Sequence, residues 1–249
     1  MTMTETMMAP RAADPRFADA PMERPRRRWG VALKALRRLL SDKEDTGQVF
    51  EIMGALNGDS TLRSYRRLLT TPKGGRLAYE RVELEDRLMD NAWLDSFAAD
   101  TVGAAYRDFI RSENLSAEGL ADISRARRAQ VDTQHPHAWF GRRIRDSHDI
   151  WHILSGYHRD GLGEACLVAF SYAQTGSLGW AVIATGAALK SRGRTLQAIW
   201  QGYRRGKAAK WLPGEDYEQL MSEPLDAARR RLNITPATVY DAIPAAERG

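Results

Sequence analysis

An all-α fold, a single-domain multi-helix bundle with a disordered basic N-terminal arm, is what this sequence predicts, and three observations predict it. From Trp29 onward apolar residues recur at spacings of three and four, the pattern of amphipathic helices. Alternating runs of strand period are scarce, and no Asn-Gly or Asp-Gly pair separates two such runs; Asn57-Gly58 and Asp160-Gly161 fall at expected helix ends. Residues 1–28 hold four of the ten prolines and six arginines without a hydrophobic period, a composition that buries no core. The helical domain is therefore expected at residues 29–235, between the arm at 1–28 and a C-terminal tail at 236–249.

The elements follow in order. Leu33, Leu36, Leu39 and Leu40 mark a first helix, and Asp45-Thr46 starts a second that carries Val49, Phe50, Met53 and Leu56. Gly58-Asp-Ser60 opens a short third helix through Leu69, and Pro72-Lys-Gly-Gly75 reads as a turn. Residues 82–98 are charged and irregular, a helix with ill-defined ends. Val102 to Ser112 places Ala105, Tyr106, Phe109 and Ile110 on one face, and Ser116 to Arg128 is a further helix or a loop. A long helix from Ala138 to His158 is broken by Gly161-Leu-Gly163. An apolar helix then follows at Glu164 to Gln174 and two more helices at Leu178 to Lys190 and Thr195 to Trp211, with short ones at Asp216 to Met221 and Pro224 to Leu232.

Composition narrows the function. The 249 residues are 43% hydrophobic, ordinary for a globular domain, and carry a net charge of +5 with a pI near 9.5. That balance favours anionic surfaces, lipid or nucleic acid. The single cysteine, Cys166, excludes an intramolecular disulfide and reads as a small buried hydrophobe. The longest uncharged apolar stretch, Leu178 to Leu189, is about 12 residues, against roughly 20 needed to span a bilayer. The arm is arginine-rich like a transit peptide, but Glu5, Asp14, Asp19 and Glu23 argue against import. Arg192, Arg194, Arg204, Arg205, Lys207 and Lys210 crowd one late helix beside Trp200, Tyr203 and Trp211. Basic residues among Trp and Tyr suit a membrane interface, a plain solvated face being the alternative. No helix-turn-helix, zinc-finger or RNA-binding signature accompanies them, so nucleic acid is not expected as a partner.

The chemistry lies in Arg142-Arg-Ile-Arg-Asp-Ser-His148-Asp149-Ile-Trp-His152 and in Glu164. Positions i and i+4 share a helix face, so His148 and His152 present two imidazoles one turn apart, a spacing that binds one metal. Asp149 lies about 100° round the helix from His148, able to ligate from the side or to act as a base. Glu164, in the first turn of the next helix, faces the histidines if that helix folds back. Two helical histidines also occur by chance as surface or core residues, and spacing alone leaves that alternative open. Arg142 and Arg145 precede His148 by about two turns and one turn, where either faces a substrate carboxylate or solvent.

The pattern His148-Asp149-x-x-His152, eleven residues, then Glu164 resembles the metal signature of the coenzyme Q biosynthesis protein 4 family. The likeness includes Leu154-Ser-Gly-Tyr157 and Gly163-Glu164. It also includes Thr101-Val-Gly-Ala-Ala-Tyr106-Arg-Asp-Phe109, and the ending Trp211, Tyr217-Glu-Gln-Leu220, Glu223-Pro-Leu225 and Arg230-Arg-Leu-Asn-Ile234. It covers about residues 45–235. Departures at Gly74-Gly-Arg-Leu77 and at 179–188 suit a divergent bacterial branch.

The resemblance implies a role in ubiquinone biosynthesis, with oxidative decarboxylation and hydroxylation at ring C1 of a polyprenylated precursor. It implies a divalent metal on His148, Asp149, His152 and Glu164, zinc by preference, iron(II) or manganese being chemically acceptable. Asp149 is then the candidate catalytic residue, and Arg142 and Arg145 are candidates for substrate binding. The expected partners are a polyprenyl quinone precursor, other ubiquinone biosynthesis proteins, a second copy of the chain and the inner membrane, met peripherally from the cytoplasm. Leu162, Leu167, Val168, Phe170, Leu178, Trp180, Val182 and Ile183 line either an apolar groove or ordinary core. A non-catalytic lipid-binding scaffold is the alternative function. A zinc peptidase fits less well, because Asp149 stands where such enzymes place a glutamate.

Overall fold

A computed structural model describes residues 26–42, 45–112 and 136–249. Its α-helices are α1 Trp29–Ser41, α2 Thr46–Leu56, α3 Ser60–Leu68, α4 Pro72–Glu80, α5 Leu84–Leu88, α6 Asn91–Asp95 and α7 Val102–Ser112. Then come α8 Pro136–Asp146, α9 His148–Ser155, α10 Gly161–Thr175, α11 Leu178–Lys190, α12 Gly193–Ala208, α13 Tyr217–Leu220, α14 Leu225–Arg231 and α15 Thr238–Asp241. No strand occurs among the described residues beyond one antiparallel bridge, Thr101 to Pro224. The expected arm at 1–28 and the segment 116–128 lie outside the described residues, apart from the non-helical residues 26–28.

The centre is the pair α10 and α12. Helix α10 is apolar nearly all round and buries Cys166, Leu167, Ala169 and Phe170. Glycines on α12 set how close the two backbones come. A Cβ on Gly202 would stand 2.5 Å from the Cys166 carbonyl oxygen, and one on Gly206 would stand 2.6 Å from that of Phe170. Gln174 locks the crossing by donating to the Gly206 carbonyl at 2.7 Å. Ile150, Trp151 and Leu154 of α9 pack into the same core, together with Tyr106 and Ile110 of α7. The Trp151 indole donates to the Tyr217 hydroxyl at 2.7 Å, which fixes α9 against α13. A second apolar cluster joins α1, α2 and α11 through Ala32, Ala35, Ile52, Leu56 and Ile183, and a third holds Leu68, Leu77, Trp139 and Phe140.

Four expectations are corrected. Pro72-Lys-Gly-Gly75 is the first turn of α4, not a free turn. Proline at N1 has no N–H to lose there, and the Thr71 hydroxyl accepts from Gly74 N at 3.0 Å. Residues 82–98 form two short helices, because Asp90 caps the second by accepting from Trp93 N. The expected helix 138–158 is two helices, α8 to Asp146 and α9 from His148, parted at Ser147, and α9 ends at Ser155: Gly156 adopts a left-handed φ of 77° and returns its N–H to the His152 carbonyl at 2.8 Å. Gly161 and Gly163 instead begin α10, with Asp160 as its cap. Finally, residues 236–249 are not a tail apart from the domain. Tyr240 and Ile243 are buried in the main core, and Leu162 N donates to Arg248 O at 2.8 Å.

Candidate metal centre

Helix α9 begins at the site and the loop 156–160 turns the chain back, so the first turn of α10 meets the histidine face. One ligand atom from each of His148, His152 and Glu164 lies within 4.8 Å of the other two. His152 is buried, while the His148 and Glu164 side chains are 25% and 38% exposed. The group therefore has a closed floor and an open mouth.

The state of His152 follows from its neighbours. Its Nδ1 lies 2.9 Å from the Tyr157 carbonyl oxygen. A carbonyl only accepts, so Nδ1 carries the hydrogen. Nε2 is buried without a hydrogen-bond partner and sits 3.3 Å from Glu164 Oε1. A lone pair facing a carboxylate needs a proton or a cation between them. An imidazole held by a carbonyl through one nitrogen, with the other aimed at a carboxylate, is how metal-binding histidines are presented. The residues present thus fit a divalent ion.

Asp149 is not brought into this group. Its Oδ1 stands 3.6 Å from His148 Nδ1, beside the first imidazole, and it is not among the three residues whose ligand atoms converge. Burial opposes a charge on His148, but Asp149 and Glu164 outweigh it and hold its pKa above the ordinary imidazole range. Burial also pushes the Asp149 and Glu164 carboxyls up. The imidazoles and the exposed Arg159 more than offset it, and both stay below the usual carboxylate range.

Arg142 and Arg145 are already paired. Arg142 Nε donates to Glu83 at 3.1 Å, and Arg145 bonds Asp146 at 2.8 Å with Glu85 at 3.6 Å. A substrate carboxylate would have to displace a protein carboxylate from either. Leu162, Leu167, Val168, Phe170 and Ile183 are core residues. Trp180 differs: it stacks on His148 at 5.9 Å between centroids, and Phe109 stacks on His152 at 5.7 Å. Trp180 was expected to line a groove or the core, though not to stack on His148. Phe109 was legible only as part of the apolar face of α7. Arg205, expected on the basic surface, is buried; it shares a face with Ala198, Gly202 and Gly206 at helical spacing, a signal the sequence did contain. A cavity of about 250 Å³ between Trp93, Trp139 and Arg143 includes none of the three converging residues.

The family model for the coenzyme Q (ubiquinone) biosynthesis protein Coq4 matches residues 25–238. The chain belongs to the Coq4 family. Among Coq4 relatives, the rat mitochondrial ubiquinone biosynthesis protein COQ4 homolog is 27% identical over 191 residues, spanning 74% of this chain and 70% of the relative. The mitochondrial coq4 protein of Pyrenophora tritici-repentis is 28% identical over 201 residues, spanning 77% and 68%. The fold is shared with a crystal structure of a Nostoc punctiforme protein assigned to ubiquinone biosynthesis. The TM-score there is 0.56 at 21% identity, over 84% of this chain and 99% of the other. A Coq4 protein acts in ubiquinone biosynthesis, and no helix among the described residues is long and apolar enough to cross a membrane.

Proposed function

We propose that this Coq4 protein is an enzyme that binds a divalent metal on His148, His152 and Glu164. Its reaction is oxidative decarboxylation with hydroxylation at ring C1 of a polyprenylated hydroxybenzoate-type precursor. The observation that carries the metal is the orphaned His152 Nε2 facing Glu164. Structural zinc sites are mostly cysteine-rich and closed, whereas this set has an open side, as catalytic sites do. Zinc would supply Lewis acidity, and iron(II), which also suits two histidines and a carboxylate, would add redox chemistry.

The net change replaces a ring carboxyl by hydroxyl and releases carbon dioxide. Molecular oxygen is the oxidant; its second atom leaves as water with two electrons from an external donor. The chain's own part is to bind, orient and move protons. Trp180 and Phe109 stack on the two imidazoles and would wall the space in which an aromatic ring meets the metal. Arg159, exposed and near enough for its charge to act on Asp149 and Glu164, is better placed than Arg142 or Arg145 to meet a substrate carboxylate. Asp149 orients His148 and holds an ionised carboxylate able to take a proton. Substitution Asp149→Asn keeps size and removes that base. In a cell lacking this step, the variant is expected to fold, to melt within a few degrees of wild type, and to leave a carboxylated precursor accumulating. Full restoration of ubiquinone by the variant would defeat the enzymatic reading.

A second reading, a non-catalytic scaffold holding other biosynthetic proteins at the membrane, draws on the surface. Leu189, Leu196 and Trp200 are 82%, 43% and 60% exposed, with Arg192, Arg194, Arg204 and Lys207 exposed on the same stretch. Apolar tips among cations suit an anionic lipid surface.

A further inference from the structure

An α-helix leaves its last carbonyls without intrahelical donors. At the end of α9 the Gly156 N–H takes the His152 carbonyl, and those of Ile153, Leu154 and Ser155 remain. Two arginines from distant elements supply the donors. Arg229 of α14 reaches the Leu154 carbonyl through Nε at 3.1 Å and the Ile153 carbonyl through Nη2 at 2.8 Å. Arg205 of α12 reaches the Ser155 carbonyl through Nη2 at 2.7 Å and the Thr235 carbonyl through Nε at 2.9 Å.

Arg205 is the unusual one. It is 5% exposed, and no carboxylate lies within ion-pair distance of it among the described residues. A buried cation without a counter-ion is costly. Its charge is set against the negative end of α9 and against the ring of Tyr157, whose centroid is 4.8 Å from the guanidinium carbon. Tyr157 is the next link, because its backbone oxygen holds His152 Nδ1. The opposite side of the same loop is held from the C-terminal segment: the Tyr240 hydroxyl donates to Asp160 and accepts from His158 N at 3.2 Å.

We propose that Arg205, seconded by Arg229, is a positioning residue of the metal centre. It pins the carbonyl end of α9 and the Tyr157 turn, so that the His152 ring keeps Nδ1–H on the carbonyl and Nε2 toward Glu164. The inference rests on the metal reading only for the ion; the orientation of the imidazole stands on the hydrogen bonds.

The test uses the full chain, labelled with nitrogen-15, and two readouts: the His152 tautomer from long-range proton–nitrogen spectra, and zinc affinity by competition with a chelator. Arg205→Met is expected to lose the single Nδ1–H tautomer and to weaken zinc by about tenfold or more, the effect typical of removing outer-shell support. Arg205→Lys keeps the charge but replaces the rigid fork of Nε and Nη2 by one ammonium nitrogen, and an intermediate loss is expected. Leu77→Ala in the separate α4 cluster should lower the melting temperature with tautomer and affinity unchanged. Should Arg205→Met fail to fold, Arg205→Lys and Arg229→Lys decide. Wild-type tautomer and affinity in both lysine variants would overturn the proposal. If the wild type takes up no zinc, the metal reading falls, and the tautomer alone upholds or overturns the positioning role.

Discussion

His152 shows how much a single side chain can reveal. The sequence offered it as one of two histidines four apart, a pattern that also occurs by chance. Its value as a ligand comes from the Tyr157 carbonyl at 2.9 Å, which settles the hydrogen and leaves Nε2 buried against Glu164. That contact depends on where the loop 156–160 turns, and no pairwise spacing reports it. His148 yields a prediction with a definite sign. Its pKa is raised by Asp149 and Glu164 in the folded, metal-free protein. The resulting stabilisation is fully present below the unfolded imidazole value, about 6.5, and is lost as pH rises through the higher folded value. Metal binding requires the neutral imidazole, so protons compete with the ion over the same range. The melting-temperature gap between wild type and His148→Gln, both metal-free, should therefore be wider at about pH 6 than at about pH 8. Zinc uptake by the wild type should run the other way, weakening toward about pH 6. A gap that widens with rising pH would contradict this account of His148.

At the scale of elements, most helices were legible because their apolar residues follow a period of three to four. The ranges of α7 and α11 agree with expectation to the residue. Several of the errors fall where glycine has two meanings. Gly161 and Gly163 looked like a break, yet Asp160 capping Gly163 N at 2.8 Å makes them a helix start. Gly156, two residues before the predicted end, is the true stop. Gly202 and Gly206 have a third meaning, close approach. A Cβ on Gly202 would stand 2.5 Å from the Cys166 carbonyl, so α10 and α12 would have to separate. Gly202→Ala gains helix propensity but should cost about 1–3 kcal/mol net, the usual range for overpacking. Denaturant unfolding checks this. A neutral or stabilising effect would mean that the crossing is looser than described.

For the molecule as a whole, the sequence supplied the all-helical class but placed residues 236–249 outside the domain. Tyr240 and Ile243 are isolated apolar residues in a short polar segment, and no helical period marks their burial. Their role appears only once the chain returns to the loop below Glu164. The basic surface was half legible: Arg204 and Lys207 are exposed, but Arg205 points inward. A membrane test must therefore spare Arg205. The protein is expected to bind anionic vesicles and to release them as salt rises, because exposed charges act through a screened attraction. Reversing Arg194 and Arg204 to Glu should weaken sedimentation with vesicles without lowering the melting temperature by more than a few degrees. Binding that ignores both salt and these substitutions would assign the contact to another face.

The central claim is that His148, His152 and Glu164 hold one divalent ion. X-ray absorption at the zinc edge, on protein loaded with one equivalent, tests it most directly. The account predicts two imidazoles and carboxylate oxygen at about 2.0–2.2 Å. It also predicts that the imidazole signal is halved or the metal lost in His152→Ala. A wild-type spectrum of water and carboxylate oxygens alone, or one unchanged in His152→Ala, would contradict it.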